Sequence, residues 1–259
     1  MVTIKTLEPY EDEQGNRIEY DGPPISEKIR IEFLGSNNVL KVGARANIPQ
    51  LSVKFAADSS VVDIAAATKN RTGLRFGLVL GQQSRITIGK NVGSASKTFV
   101  RASEGASVTI GDECMLASSI EIRTDDTHAI YDLETGLRTN RAKDITIGEH
   151  VWIGKYAAIL GGVTVGSGSV IGFRSIVTRD VPNNAIVAGI PARVVRKNIA
   201  WERPDLNKNE PGTRELPADQ RRSERYWNPT KEDKPKVITQ PRPNKLVRAK
   251  RRLGRFLAR

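Results

Sequence analysis

The chain of 259 residues is short of several residue types, and each shortage narrows what it can be. Aromatic residues make up 5% of it, so any core must be filled with Val, Ile and Leu. Its one cysteine, Cys114, excludes an intrachain disulfide and points to a reducing compartment. It has two histidines, His128 and His150, whereas a zinc hydratase on a repeat scaffold needs about three imidazole ligands; that class is excluded and no metal is expected. No apolar run approaches the ~18 residues of a membrane span. The first residues carry Glu8, Glu11, Asp12 and Glu13 with no apolar stretch, unlike a secretory signal, so a cytoplasmic protein is expected.

Charge is plentiful but unevenly placed. Of the net +12, residues 200–259 contribute +9, with 17 Lys and Arg against 8 Asp and Glu. Basicity therefore belongs to the C-terminal region and says little about the rest.

The rest is repetitive. Ile147, Ile153, Ile159, Val165, Ile171 and Val177 recur every six residues without a slip, and Gly148, Gly154, Gly166 and Gly172 each follow one of them. Four positions after successive anchors stand Val151, Ala157, Val163, Ser169 and Ser175. A helix of 3.6 residues per turn would scatter period-six positions around its axis and would suffer from the glycines. A hairpin sheet would need turn dipeptides between the strands, and these are missing. One short strand per hexad, followed by a corner of about 120°, fits. Three hexads close a triangular coil, and stacked coils bury one another's faces. Earlier, the dyads Ile29/Ile31, Leu40/Val42, Leu51/Val53 and Val62/Ile64 stand eleven residues apart, and Ile86/Ile88 and Val108/Ile110 continue after gaps. They predict repeated strands of unassigned register.

Ile110, Leu116 and Ile122 resume the six-residue step, after which it breaks. The repeat demands its next anchor six positions after Ile122, but that anchor comes only at Ile147, so the intervening stretch leaves the solenoid as a polar, turn-rich loop over 123–144. Long excursions from a rigid scaffold usually carry function. His128 lies on this one, two residues after Asp126 and three after Asp125, where a carboxylate could orient an imidazole. A solvated loop histidine is the alternative. His150 falls at a corner of the regular repeat and reads as a surface-structural residue. Cys114, followed by Met115 and Leu116 within a hexad step, reads as a small buried residue and not as a nucleophile.

Three regions follow: an N-terminal extension (1–28), the β-helix (29–197) and a basic C-terminal region (198–259). In the last, 200–244 reads as extended and poorly packed. An amphipathic helix at about 244–258 places Leu246, Ala249, Leu253, Phe256 and Leu257 on one face. It reads as a solvated tail, as an element for an anionic membrane surface, or as a dock for an acidic glycan or a glycan-assembly enzyme. Nucleic acid is not expected, because no groove-reading or aromatic-interleaved motif accompanies the charge.

The run DDTHAIYD, DITIGEHVWIG, GVTVGSGSVIGFRSIVTRDVPNNAIVAGIPARVVR resembles the hexapeptide-repeat acetyltransferases, and within them the maltose/galactoside and the capsule or sialic acid O-acetyltransferases. The resemblance is strong over 105–197, weaker over 29–104 and absent from 200 onward. It implies an all-β, left-handed parallel β-helix that assembles as a homotrimer and moves acetyl from acetyl-coenzyme A to a saccharide hydroxyl by direct transfer, on a capsule or other surface polysaccharide or its precursor. His128 then matches the general base, with Asp125 and Asp126 beside it on the acceptor side. Trp152 matches a tryptophan beside the catalytic centre, though it also fits a corner aromatic packed on the next coil. Lys155 falls where family members often carry Ser and where the backbone N–H approaches the thioester. Phe173 stands on the pantetheine path, where a small residue is common. Thr178 and Arg179 match a coenzyme-contacting pair, and Arg193 and Arg196 match arginines near the nucleotide end, where guanidinium groups suit phosphates; solvated arginines at the end of a solenoid are the alternative. An acceptor-binding asparagine of the sugar enzymes aligns near Phe99, so a galactoside of that kind is not the expected acceptor. A small-molecule acetyltransferase and a non-catalytic β-helical scaffold are the other readings.

Overall fold

The structure, a computed structural model, describes residues 1–68, 73–204, 212 and 224–231. It is a left-handed parallel β-helix with three walls, and among the described residues it contains no α-helix. The first wall stacks Ile29–Phe33, Gln50–Phe55, Arg75–Leu80, Thr98–Ala102, Glu121–Arg123, Ala158–Leu160 and Ile176–Val177, with Val2–Ile4 antiparallel on its upper edge. The second runs from Arg17–Tyr20 through Val39–Val42, Val61–Ile64, Arg85–Ile88, Ser107–Ile110 and Ile145–Ile147 to Thr164–Val165. Among the described residues the third begins at Gly93–Ser94 and continues through Met115–Leu116, Trp152–Ile153, Val170–Ile171 and Ile186–Gly189, capped by antiparallel Ala192–Arg196.

The hexad anchors land on successive walls. Ile147 and Val165 face inward from the second, Ile153 and Ile171 from the third, Ile159 and Val177 from the first; all are buried. Val151, Ala157, Val163, Ser169 and Ser175 are buried too, just inside the corners. The glycines after the anchors are there for close approach between coils: a Cβ on Gly154 would stand 2.7 Å from the Ile171 carbonyl oxygen of the next turn. Left-handed backbone falls elsewhere, on a ladder of corner residues such as Asn91, Glu113, His150 and Asn184.

The eleven-residue dyads resolve into half-coils. Ile29 pairs with Leu51, and Leu40 with Val62, so each wide N-terminal coil takes two of these steps and the dyads alternate between the first and second walls. Below the loop, Thr146 pairs with Thr164 and Trp152 with Val170, giving tight coils of three hexads. The prism also starts earlier than expected. Ile18 and Tyr20 pair in parallel with Leu40 and Val42, which carries the second wall back into the supposed extension. The polar residues of 8–17 hid this step. Buried Asn38 accepts from Ser60 N (2.9 Å) and donates to Asn16 Oδ1 (3.1 Å), a ladder that satisfies backbone amides inside the corner.

Candidate active site

The loop leaves the corner between the first and second walls. Its neck is closed by Lys143 N donating to Thr124 O (3.1 Å). Asp125 is buried against Arg101 of the coil above, whose Nε reaches both carboxylate oxygens at 3.0 and 3.1 Å, and it also accepts from Thr127 N at 2.8 Å. Burial alone would raise its pKa, but the Arg101 guanidinium and the Thr127 amide outweigh that and hold the carboxyl below its usual range. A second ion pair, Arg138 with Glu104, ties the returning limb to the same upper coil, and Ala142 N donates to Glu104 at 3.1 Å. At the tip the Asp132 carboxylate accepts from Glu134 N and Thr135 N (3.1 and 2.8 Å).

Asn140 crosses between the limbs, donating to Asp126 Oδ2 (3.0 Å) and to the His128 carbonyl (2.8 Å). The His128 backbone is thus held while its imidazole is exposed and, among the described residues, makes no hydrogen bond. No carboxylate among those residues orients that ring. Asp125, expected on the acceptor side, is turned inward because its two oxygens answer the half-buried guanidinium of Arg101. The apolar side chains of the loop face out: Leu133 is 100% exposed and Leu137 68%.

Trp152 lies elsewhere, on the third wall between Met115 and Val170, and is 39% exposed. In a three-sided prism that wall faces away from the corner that carries the loop, so one chain does not bring His128 and Trp152 together. At the corner between third and first walls, Lys155 and Tyr156 stack over Phe173 and Arg174 of the next coil. Tyr156 meets Phe173 edge-on at 5.9 Å, Lys155 Nζ lies 4.8 Å from the Tyr156 ring centre, and the Arg174 guanidinium lies 5.3 Å from it. All four are exposed. Thr178 and Arg179 are exposed just below the loop's corner, and Arg193 and Arg196 project from the terminal strand.

The model for the bacterial transferase hexapeptide, six repeats, matches residues 144–179. A polysialic acid O-acetyltransferase of Neisseria meningitidis is 32% identical over 194 residues, which are 74% of this chain and 88% of that protein. The chain belongs to the hexapeptide-repeat acetyltransferases. A second polysialic acid O-acetyltransferase, from Escherichia coli O1:K1 / APEC, is 36% identical over 128 residues, 49% of this chain but only 41% of its own length. The crystal structure of the polySia-specific acetyltransferase NeuO superposes with a TM-score of 0.63 at 31% identity, covering 76% of this chain and 93% of that one.

Beyond the repeat, this hexapeptide acetyltransferase carries a strap that the sequence did not announce. Residues 198–204 and 224–231 lie along the corner between second and third walls. His150, expected at the surface, is buried there, sandwiched between Trp201 (4.0 Å between ring centres) and Tyr226 (4.4 Å), both nearly parallel to it. Its Nε2 donates to Trp201 O (3.0 Å) and Trp201 Nε1 donates to His150 O (2.9 Å). Burial pushes the His150 pKa down. Beside it buried Glu149, its pKa raised by burial, accepts from the Tyr226 hydroxyl (3.0 Å) and pairs with Arg225 (2.7 Å). Asn184 Nδ2 donates to Ile199 O and Tyr226 O, and Asn183 Nδ2 to Pro229 O. These two amides anchor a segment expected to be poorly packed; a polar composition conceals how few aromatic residues are needed to seat it. The helix expected at 244–258 lies outside the described residues. Cys114 is fully buried, donates to Gly148 O at 3.1 Å, and has its thiol pushed by burial to about 12, which leaves it no nucleophilic role.

Proposed function

We propose that this protein transfers acetyl from acetyl-coenzyme A to a hydroxyl of a saccharide, with His128 as general base, and that the acceptor is an acidic surface polysaccharide or its precursor made in the cytoplasm. One observation carries the reading: the scaffold interrupts its repeat to present a single exposed imidazole on a loop whose backbone is pinned on both limbs. The polysialic acid O-acetyltransferase relatives support the acceptor class, and the basic C-terminal region, which holds +9 of the net +12, suits a polyanion.

In the proposed reaction the exposed imidazole, in its neutral form, takes the proton of the acceptor hydroxyl as its oxygen attacks an acyl carbonyl. Acetyl-coenzyme A, when bound, supplies that carbonyl as a thioester. The imidazolium then returns its proton to the leaving thiolate. The exposed residues suit such a donor: Phe173 offers an apolar surface at a corner lined by Lys155, and Arg179, Arg193 and Arg196 offer cations for phosphates. The Lys155 backbone amide is the proposed donor to the carbonyl oxygen, and Thr178 the proposed hydroxyl contact. Trp152 walls the acceptor side, and Asp126 stands beside His128 as the remaining acidic contact.

His128 and Trp152 face opposite sides of one prism, so the complete site needs a neighbouring copy. A closed threefold arrangement, in which each loop reaches the next prism, gives the exposed Ile130, Tyr131, Leu133 and Leu137 something to cover.

The test is thiol release from acetyl-coenzyme A with polysialic acid as acceptor. His128→Ala is expected to lower kcat at least ~10²-fold with little change in coenzyme binding. Transfer at wild-type rate by the variant would remove His128 from the mechanism. No turnover by wild type on a panel of glycans would favour a scaffold or a small-molecule acetyltransferase.

A further inference from the structure

The strap carries an open surface cavity of about 490 Å³ that the transfer chemistry does not use. It is lined by Asn198, Ile199 and Ala200 from the outgoing limb and by Trp227, Asn228 and Pro229 from the returning one. We propose that this cavity is a saccharide subsite that holds a stretch of the acceptor polymer away from the transfer point. The proposal rests on the saccharide-acceptor reading above and adds where the rest of the chain goes.

The lining has the chemistry that sugars require. A pyranose presents an apolar C–H face and an edge of hydroxyls, so its binders pair an aromatic or apolar surface with side chains that both donate and accept. Trp227 is 38% exposed, and its Nε1 donates to Glu202 at 2.8 Å, which fixes the direction of the indole plane. Ile199, Ala200 and Pro229 continue the apolar surface. The two amides are oriented before any ligand arrives. Asn198 Oδ1 accepts from Thr230 N (2.8 Å), which turns its Nδ2 outward as a donor. Asn228 Nδ2 donates to Arg225 O (2.8 Å), which leaves its Oδ1 as an acceptor.

The frame around the cavity is rigid for a segment of such polar composition. Asn183 and Asn184 hold the carbonyls of Ile199, Tyr226 and Pro229, while Thr230 Oγ1 accepts from Asn198 N at 2.7 Å and donates to Asn184 O at 2.8 Å. Pre-organisation of this kind lowers the entropic cost of binding a flexible polymer. Position supports the assignment as well. The outgoing limb runs directly into Trp201, whose ring centre lies 6.0 Å from that of Trp152, so the strap that carries the cavity also touches the wall proposed to flank the acceptor. A polymer held both at Trp152 and at this surface makes two linked contacts, which raise the affinity for a long acceptor above that for a single sugar.

The experiment compares full-length wild type with Trp227→Ala and Asn228→Ala, using polysialic acid and sialic acid monomer as acceptors, with circular dichroism melting of each variant. The expected result is a rise of roughly 10-fold in KM for the polymer in Trp227→Ala and a smaller rise in Asn228→Ala. The kcat, and all kinetics on the monomer, should stay at wild-type values. Unchanged polymer KM in both variants, with melting unchanged, would overturn the subsite while leaving the transfer reading intact. Should wild type acetylate neither acceptor, saturation-transfer NMR of the same polymer decides. Contact with wild type that Trp227→Ala loses supports the subsite without the reaction, and absence of contact overturns it. If Trp227→Ala melts early, Trp227→Phe, which keeps an aromatic face, should restore most of the polymer KM; failure to do so also overturns the assignment.

Discussion

Replacing Trp201 by alanine isolates what the strap contributes. Its side chain is 7% exposed and lies against His150, with a hydrogen bond to the His150 carbonyl and a tilted contact to Trp152. Truncating a buried tryptophan costs ~3–5 kcal/mol in a closed core. The strap is seated on one side only, so the lower end, about 3 kcal/mol, is appropriate, and it includes roughly 1 kcal/mol from the ring stack. This energy should be lost locally. In a solenoid each coil is stabilised by its neighbours, and the strap touches the prism along one corner, so the coils should keep their stability while the strap undocks. Native-state hydrogen exchange reads this directly. The amides of Ile199 and Trp227, bonded to Asn184 O and Glu224 O, should lose ~10²-fold protection, since about 1.4 kcal/mol corresponds to a factor of ten. Amides within Ile145–Ile147 and Ala158–Leu160 should be unchanged. Loss of protection in the prism to the same extent would refute the reasoning, because strap and solenoid would then be one cooperative unit. Unchanged strap protection would refute it from the other side.

Two further outcomes follow from titratable groups that the fold buries. His150 has its folded pKa below the ordinary 6.5, so as pH falls below that value the unfolded strap binds a proton that the docked one refuses. Docking stability should be complete above pH 6.5 and decline beneath it. Raised Glu149 acts with the opposite sign at lower pH, so the clean measurement is strap hydrogen exchange between about pH 7.5 and 5.5 in Glu149→Gln, corrected for intrinsic rates. No loss of protection at the acid end of that range would rule out a neutral buried imidazole. At the other corner, Arg101→Leu leaves the buried Asp125 carboxylate without its guanidinium, which should destabilise the loop neck by ~3 kcal/mol. Limited proteolysis within 124–144 should accelerate ~10²-fold while the melting midpoint of the prism falls little. An unaltered cleavage rate would show that the ion pair does not hold the loop.

The prism was legible in the sequence wherever one side chain per hexad had to face inward. Ile147 through Val177 carry the period without interruption because each tight coil has no room for anything but an aliphatic there. The length of the excursion was legible for the same reason. Val108 pairs with Ile145, the register that one tight coil plus the excursion inferred from the broken step requires. The wide coils were half legible. Their dyads showed the eleven-residue step but not that it alternates between two walls, because among the described residues the third wall has no strand before Gly93–Ser94 to supply an intermediate anchor. The strap was not legible. Its seating depends on Trp201 and Tyr226 meeting one histidine far earlier in the chain, and no periodicity links them. His150 looked like a surface corner for the same reason: the corner is exposed by the repeat and is covered only by the strap.

The loop emerges where the wide coils give way to the tight ones, and this position explains how a long excursion can hold the proposed base in register. Its restraints come from the two kinds of coil separately. Arg101 and Glu104, on the wide coil above, grip Asp125 near the start and Arg138 near the end. Thr124 and Lys143 are drawn together at the neck, and a Cβ on Gly161 of the tight coil below would stand 2.5 Å from the Thr124 carbonyl oxygen. A loop held from above alone would pivot about its neck. Held also from below, it has its exit direction fixed, and the remaining freedom is taken up by Asn140 between the limbs. Precision of about 0.5 Å at a reacting group requires a supporting shell of this sort. Among the described residues of a single chain, however, nothing holds the His128 ring itself. For the proposed base, that last restraint has to come from the acceptor or from the prism of an adjoining copy, so mixing Trp152→Ala chains with His128→Ala chains should recover activity that neither has alone. Equal inactivity of the mixture and its components, with mixed oligomers demonstrated, would place both residues in one chain's site and refute the shared arrangement.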